Sequence, residues 1–208
     1  MLKVLGRLSS INVRKVLWTC DEVGIPFERE DWGIGFKSPQ AAEFLALNPN
    51  AKVPVLCEDD GFVLWESNTI CRYLAGRAGR ADLLPTEPRE RARVEQWMDW
   101  QAGELNTAWR YAFWALVRKS PAYADAAAIE SSRLEWNRHM QILDAQLERS
   151  GAYAAGPEFT LADIGLGLAV HRWAMAPMDK LALAAVQAYR DRLGAREAGL
   201  RTMLADIP

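Results

Sequence analysis

An α/β half followed by an all-α half is the fold class this sequence predicts. Three observations carry it: strand-like and helix-like segments alternate through roughly the first 80 residues, turn formers then interrupt the chain, and beyond them the strand signal disappears. Leu2 to Leu5 reads as a strand. From Val13 the apolar positions Val13, Val16, Leu17, Cys20 and Val23 recur at helical spacing, and Gly24 closes that helix. Pro26 to Glu30 follows as a second strand and Pro39 to Leu45 as a short helix. Val53 to Cys57 and Phe62 to Trp65 are two further strands, joined through Asp60-Gly61, a strong hairpin signal. A helix from Glu66 to about Arg77 completes a β-α-β-α-β-β-α order.

That is the order of a thioredoxin-like domain, expected over residues 1–79. Residues 80–88, which include Pro85 and Pro88, have the composition of a linker, and residues 89–208 are expected to form a helical bundle. A long helix from Pro88 to Arg118 carries Val94, Trp97, Met98, Gln101, Leu105 and Ala108 along one side. A second, from about Ala126 to Arg149, carries Ile129, Leu134, Met140, Ile142, Leu143 and Leu147. Thr160-Leu161-Ala162-Asp163 resembles a capping box with aspartate in place of glutamate, Phe159 being placed as its staple; this motif reads as structural. Shorter helices are expected over Leu181 to Arg192 and Ala195 to Leu204.

Composition narrows the function. Of 208 residues, half are hydrophobic and a quarter charged, and the net charge of -2 gives no reason to expect nucleic acid as a partner. No apolar run approaches the roughly 18 to 20 residues that span a bilayer, and the first residues pass straight into a strand-like pattern rather than a signal peptide, so no membrane partner and a cytoplasmic location are expected. Cys20, Cys57 and Cys71 form neither a CxxC dithiol nor a metal-ligand spacing; they read as packing residues, and no metal is expected. His139 and His171, without a paired nucleophile or metal spacing, also read as structural. Several of the nine tryptophans fall between Trp97 and Trp114, as either a thick helical core or the wall of an apolar pocket.

The chemistry concentrates in two stretches. Lys52-Val53-Pro54-Val55-Leu56 is an apolar run broken by proline, which suggests a strand that opens on a fixed, cis X-Pro bond. Trp65-Glu66-Ser67-Asn68-Thr69-Ile70 ends a strand and offers a carboxylate and a hydroxyl where a helix begins, and free N–H groups at such a start bind carboxylates. Together these features make a receptor for an extended peptide bearing both a carboxylate and an ammonium. Glutathione is such a peptide.

With Ser9-Ser10-Ile11-Asn12-Val13-Arg14-Lys15-Val16 at the first strand-to-helix turn, Asn48-Pro49-Asn50-Ala51-Lys52-Val53-Pro54, Glu66-Ser67-Asn68-Thr69-Ile70 and Phe159-Thr160-Leu161-Ala162-Asp163 in this order, the chain resembles the cytosolic glutathione S-transferases over essentially its whole length. The resemblance is to serine-type, theta-, zeta- or beta-like bacterial members. It implies an N-terminal glutathione site, a helical domain that supplies a pocket for a hydrophobic electrophile, and a homodimer. Ser10 matches the hydroxyl that activates the glutathione sulfur, while Ser9 and Asn12 lie in the same turn and can also offer a hydrogen. Ser9 or Ser10 as a mere helix cap is the alternative. Arg14 is expected to be a solvated charge.

By the same comparison Lys52 pairs with the glycine carboxylate, Val53 offers backbone bonds to the cysteinyl part just before Pro54, and Glu66 with Ser67 holds the γ-glutamyl ammonium and carboxylate. Asp99, Gly103, Asn106 and Arg110 share one helix face at ideal spacing, and Asp99 is a candidate contact to glutathione from a partner subunit. Trp109, Phe113 and Trp114 are candidates for the electrophile pocket or for core packing. Ile11 stands where zeta-like isomerases carry cysteine, which disfavours a maleylacetoacetate-type isomerase, and no tyrosine or cysteine accompanies Ser10. Disulfide or peroxide reduction with glutathione, and ligand binding without catalysis, are the alternatives to conjugation.

Overall fold

The computed structural model describes residues 1–203. It divides into two compact units, Met1–Thr86 and the chain from Glu87 onward. The last residue of the helix expected to end at Leu204 lies outside the described residues. Among those described, no helix is long and apolar enough to cross a membrane.

The first unit is built as β1 (Leu2–Leu5), α1 (Ile11–Val23), β2 (Phe27–Glu30), α2 (Ala42–Leu45), β3 (Val55–Cys57), β4 (Val63–Trp65) and α3 (Ser67–Arg77). The expected order therefore holds, with β1 at its expected bounds and β2, β3 and β4 one or two residues shorter than expected at their N-terminal ends. The four strands form one sheet in the order β2-β1-β3-β4. β1 runs parallel to β2 and antiparallel to β3, and β3 and β4 form a hairpin. Side chains alternate across a strand, so Leu5 and Val55 pack with Trp32 and Phe44 on one face while Val4 and Leu56 turn to the other. α1 and α3 pack together, burying Val13, Val16, Trp18, Ile70 and Leu74. Gly24, at φ 70°, ends α1 in the left-handed conformation that glycine adopts without penalty.

The second unit is helical: α4 (Pro88–Trp100), a π-helical segment Gln101–Leu105, α5 (Asn106–Ala112), a second π segment Phe113–Val117, α6 (Ala126–Ser150), α7 (Leu161–Met175), α8 (Ala184–Gly194) and α9 (Glu197–Thr202). The expected helix from Pro88 is thus continuous to Val117 but not uniformly α. Just before the second π segment, the side chain of Ser132 on α6 reaches the backbone of α5. Its hydroxyl donates to Ala108 O at 2.6 Å and accepts from Ala112 N at 3.0 Å, inserting between the two ends of an i→i−4 pair. At the first, Asn106 N bonds back to Gln101 O, five residues earlier. Each extra residue in a turn rotates the remainder of the helix by roughly 100° relative to a regular one.

α7 is buried along nearly its whole length, as a helix apolar all round must be. Its capping box is present: the buried Asp163 carboxylate accepts from Thr160 N at 2.8 Å, and also from Thr160 Oγ1, Ala154 N and Tyr189 Oη. Burial pushes its carboxyl above the usual range, while those four donors pull the other way. The other apolar expectations hold less evenly. On α6, Met140, Leu143 and Leu147 are core, but Leu134 and Ile142 are exposed on the single chain.

Candidate functional site

The register of the sheet gathers three of the singled-out segments. Leu5 at the end of β1 pairs with Val55 at the start of β3, and Val55 pairs in turn with Trp65 at the end of β4. The turn into α1, the loop that carries Lys52, Val53 and Pro54, and the Glu66-Ser67 start of α3 therefore leave the same end of three neighbouring strands. Gly6 closes the approach. At φ 149° it sits in a conformation that favours glycine, and a Cβ there would lie 2.4 Å from Val13 Cγ2 and 3.0 Å from Val53 Cβ.

Ser10 stands at the N-cap of α1 with extended backbone, yet among the described residues its hydroxyl makes no cap bond. The amides of the first turn have no intrahelical partner. Hydroxyl and helix end together offer donors and a positive dipole to an anion in front of them. Asn12 and Ser9, both half-buried, share the turn. Arg14 corrects an expectation, being fully buried rather than solvated; Lys15 beside it, 2% exposed, donates from Nζ to Asn68 Oδ1 at 3.2 Å, tying α1 to the first turn of α3.

The loop before β3 is organised by a residue to which the sequence pattern assigns no role of its own. Asn48 is buried; its amide donates to Lys52 O at 2.7 Å and its Oδ1 accepts from Asn50 N at 3.0 Å. The Val53–Pro54 peptide is cis, as expected. Lys52 is exposed, and its ammonium meets no carboxylate among the described residues. Glu66 caps α3 at φ 72°, ψ 109°, a conformation that costs a non-glycine residue about 1–3 kcal/mol and that proteins retain mostly where a side chain must be presented. The Glu66 side chain is exposed and makes no cap bond; Ser67 is the first residue of α3 and 7% exposed.

The remaining named residues belong to the second unit. Asp99 is exposed on α4. The π segment separates it from the face it was expected to share: Asn106 Oδ1 accepts from Gln101 Nε2 at 2.8 Å and from Trp109 Nε1 at 3.0 Å. Trp109 and Phe113 are packed interior, edge to face at 5.2 Å, with the Arg172 guanidinium 4.7 Å and 4.1 Å from their rings. Trp114 is half-buried and stacks on Tyr123 at 5.8 Å.

Burial pushes the Cys20 thiol up to about 12 and raises Cys57 and Cys71 as well. His139 is buried, its Nδ1 2.7 Å from Glu135 O, and His171 lies 3.4 Å from Arg190 Nη2.

The comparisons agree with this architecture. Residues 9–77 match the family described as glutathione S-transferase, N-terminal domain. The chain is 41% identical over 167 residues to Glutathione S-transferase GstB of Escherichia coli K12, covering 80% of each protein. It is 28% identical over 205 residues to Disulfide-bond oxidoreductase YfcG of the same organism, covering 93% and 90%. Among solved structures it resembles the theta class glutathione S-transferase of Xanthomonas axonopodis pv. citri with glutathione bound, at a TM-score of 0.92 and 35% identity over 100% and 99% of the two chains. With such identity over four-fifths of a curated relative, on a thioredoxin-like unit joined to a helical one, the chain belongs to the glutathione S-transferase family and is an enzyme of that family.

Proposed function

We propose that this enzyme conjugates glutathione to a small hydrophobic electrophile, with Ser10 donating a hydrogen bond to the attacking thiolate. The observation that carries the reading is the Ser10 hydroxyl at the amino end of α1, which makes no cap bond there. A thiol with a pKa of roughly 8.5 is mostly protonated at neutral pH, and lowering it by about two units takes roughly 2.7 kcal/mol of preferential stabilisation of the anion. One hydroxyl and one helix end can supply that between them. The thiol proton leaves to solvent; the sulfur lone pair then forms a bond to an electrophilic carbon, and the leaving group departs with its electron pair.

In this reading Glu66 and Ser67 hold the γ-glutamyl end, Val53 offers backbone bonds to the cysteinyl part and Lys52 meets the glycine carboxylate. The bent Glu66 backbone supports the first assignment and the unpaired Lys52 ammonium the last. Trp114 is the open member of the aromatic set proposed for the electrophile, backed by Trp109 and Phe113. Residues 1–79 are the glutathione domain, 80–88 the linker and 89–208 the helical domain of a cytoplasmic homodimer. α3 and the helix from Pro88 contribute the two-fold contact, from which Asp99 serves the partner's site. Exposed Phe62, whose ring lies beside Tyr73, and exposed Trp65 support an apolar contact on the first unit.

Turnover with 1-chloro-2,4-dinitrobenzene tests the proposal. Ser10→Ala should lower kcat/KM by about 100-fold, the lower end for loss of one preorganised donor to a developing anion. A loss under threefold rejects Ser10 as the donor. The similarity to YfcG favours reduction as a second reading, in which the same thiolate attacks a disulfide sulfur and a second glutathione completes the exchange. Turnover of 2-hydroxyethyl disulfide without any turnover of aryl halides would select it.

A further inference from the structure

The first turn of α3 lacks the cap that would hold it from its own side. Glu66, at the N-cap, makes no cap bond among the described residues, and Ile70 N bonds back to Glu66 O at 2.9 Å, so the amides of Ser67, Asn68 and Thr69 precede the regular ladder. Those three have no i→i−4 partner. What ties the turn down comes from α1. Lys15 is 2% exposed, and its Nζ donates to Oδ1 of the half-buried Asn68 at 3.2 Å.

Lysine is a costly choice for that task. A methionine would fill the same length between two packed helices without taking a charge out of water, and replacing buried ionic groups by apolar ones of similar volume is often neutral or stabilising. The ammonium also stands at the positive end of the α3 dipole, bonded to the second residue of that helix. A cation is disfavoured at such an end and an anion favoured. An anion bound at the turn offsets both costs, whereas a bound cation adds to them. The γ-glutamyl group carries an ammonium and a carboxylate on one carbon, so a charge placed behind the turn selects which of the two lies against it.

We propose that Lys15 is a positioning residue for glutathione: through Asn68 its ammonium holds the first turn of α3, and its charge favours the α-carboxylate of the γ-glutamyl group there. The inference rests on the reading above, in which Glu66 and Ser67 take that end of the peptide.

Calorimetric titration of the full chain with glutathione and with 4-aminobutanoyl-cysteinylglycine, which keeps the γ-glutamyl ammonium and lacks its carboxylate, tests the proposal. Wild type should bind glutathione at least tenfold more tightly than the analogue. Lys15→Met, which keeps the side chain's length and removes its charge, should cut that preference at least fivefold while the Kd of the analogue stays within twofold. Asn68→Ala should cut it at least threefold, and adding Asn68→Ala to Lys15→Met should change it by less than twofold, because one residue acts through the other. A preference that survives Lys15→Met would overturn the proposal, as would equal weakening of both peptides, the result of lost packing alone. Should Lys15→Met fail to fold, Asn68→Ala decides by the same two outcomes. A wild type without preference for glutathione would reject the γ-glutamyl assignment and this inference together, whereas a wild-type preference retained in the variants rejects the inference alone.

Discussion

Gly6→Ala is a one-carbon perturbation whose cost can be worked from the structure. The new Cβ would lie 2.4 Å from Val13 Cγ2 and 3.0 Å from Val53 Cβ, so α1 or the loop before Pro54 must give way. Overpacking of this kind costs about 1–3 kcal/mol, and holding alanine at φ 149° adds about 1–3 kcal/mol. The expected loss is about 2–6 kcal/mol, a large share of the 5–15 kcal/mol typical of a folded protein. Glutathione affinity should fall with it, since the same shift separates the Ser10 turn from Val53. Urea unfolding followed by far-UV circular dichroism measures the first effect and calorimetry the second. Val13→Ala removes the nearest obstructing atom, so in the double variant the two losses should fall short of additivity by about 1–2 kcal/mol. A Gly6→Ala protein that unfolds at the wild-type urea concentration, or losses that simply add, would refute this close approach.

The other predictions concern binding, redox chemistry and assembly. Glu66→Ala should raise the glutathione Kd by about tenfold or more, equivalent to about 1.4 kcal/mol, without loss of fold; unchanged affinity by calorimetry removes Glu66 from the site. At pH 7.5 the raised thiol pKa values leave little thiolate on Cys20, Cys57 or Cys71, so iodoacetamide applied before glutathione should leave activity intact. Inactivation in step with alkylation would show that a protein thiol takes part. Light scattering at micromolar concentration should give twice the chain mass of 23.3 kDa, and a value at 23.3 kDa refutes the dimer.

Much of this architecture was legible because its signals are local. Gly24, Asp60-Gly61 and the Thr160–Asp163 cap each carry their own backbone requirement, and each marks the end, turn or start it was read as. What was not legible depends on contacts distant in sequence. Ser132 reaches from α6 into the ladder between Ala108 and Ala112, which no periodicity within the long helix reveals. Arg14 reads as a surface charge because arginine is rarely buried, yet it is fully buried, and α3 covers the neighbouring face of α1 that carries Lys15. Leu134 and Ile142 fit an apolar stripe by spacing, but burial depends on which helices pack beside α6. At the candidate site, residue types marked Glu66, Ser67 and Pro54, whereas Gly6 and Asn48 act through close approach and loop bonding and emerge only in three dimensions.

Activation of the glutathione thiol by Ser10 is tested most directly by ultraviolet titration of the bound thiolate in wild type, Ser10→Ala and Asn12→Ala. The account predicts a wild-type apparent pKa about two units below the roughly 8.5 of a free thiol, a return toward that value in Ser10→Ala, and little change in Asn12→Ala. A thiol pKa that stays low in Ser10→Ala and rises in Asn12→Ala would contradict it, moving the donor to Asn12 and leaving Ser10 only the place at the start of α1.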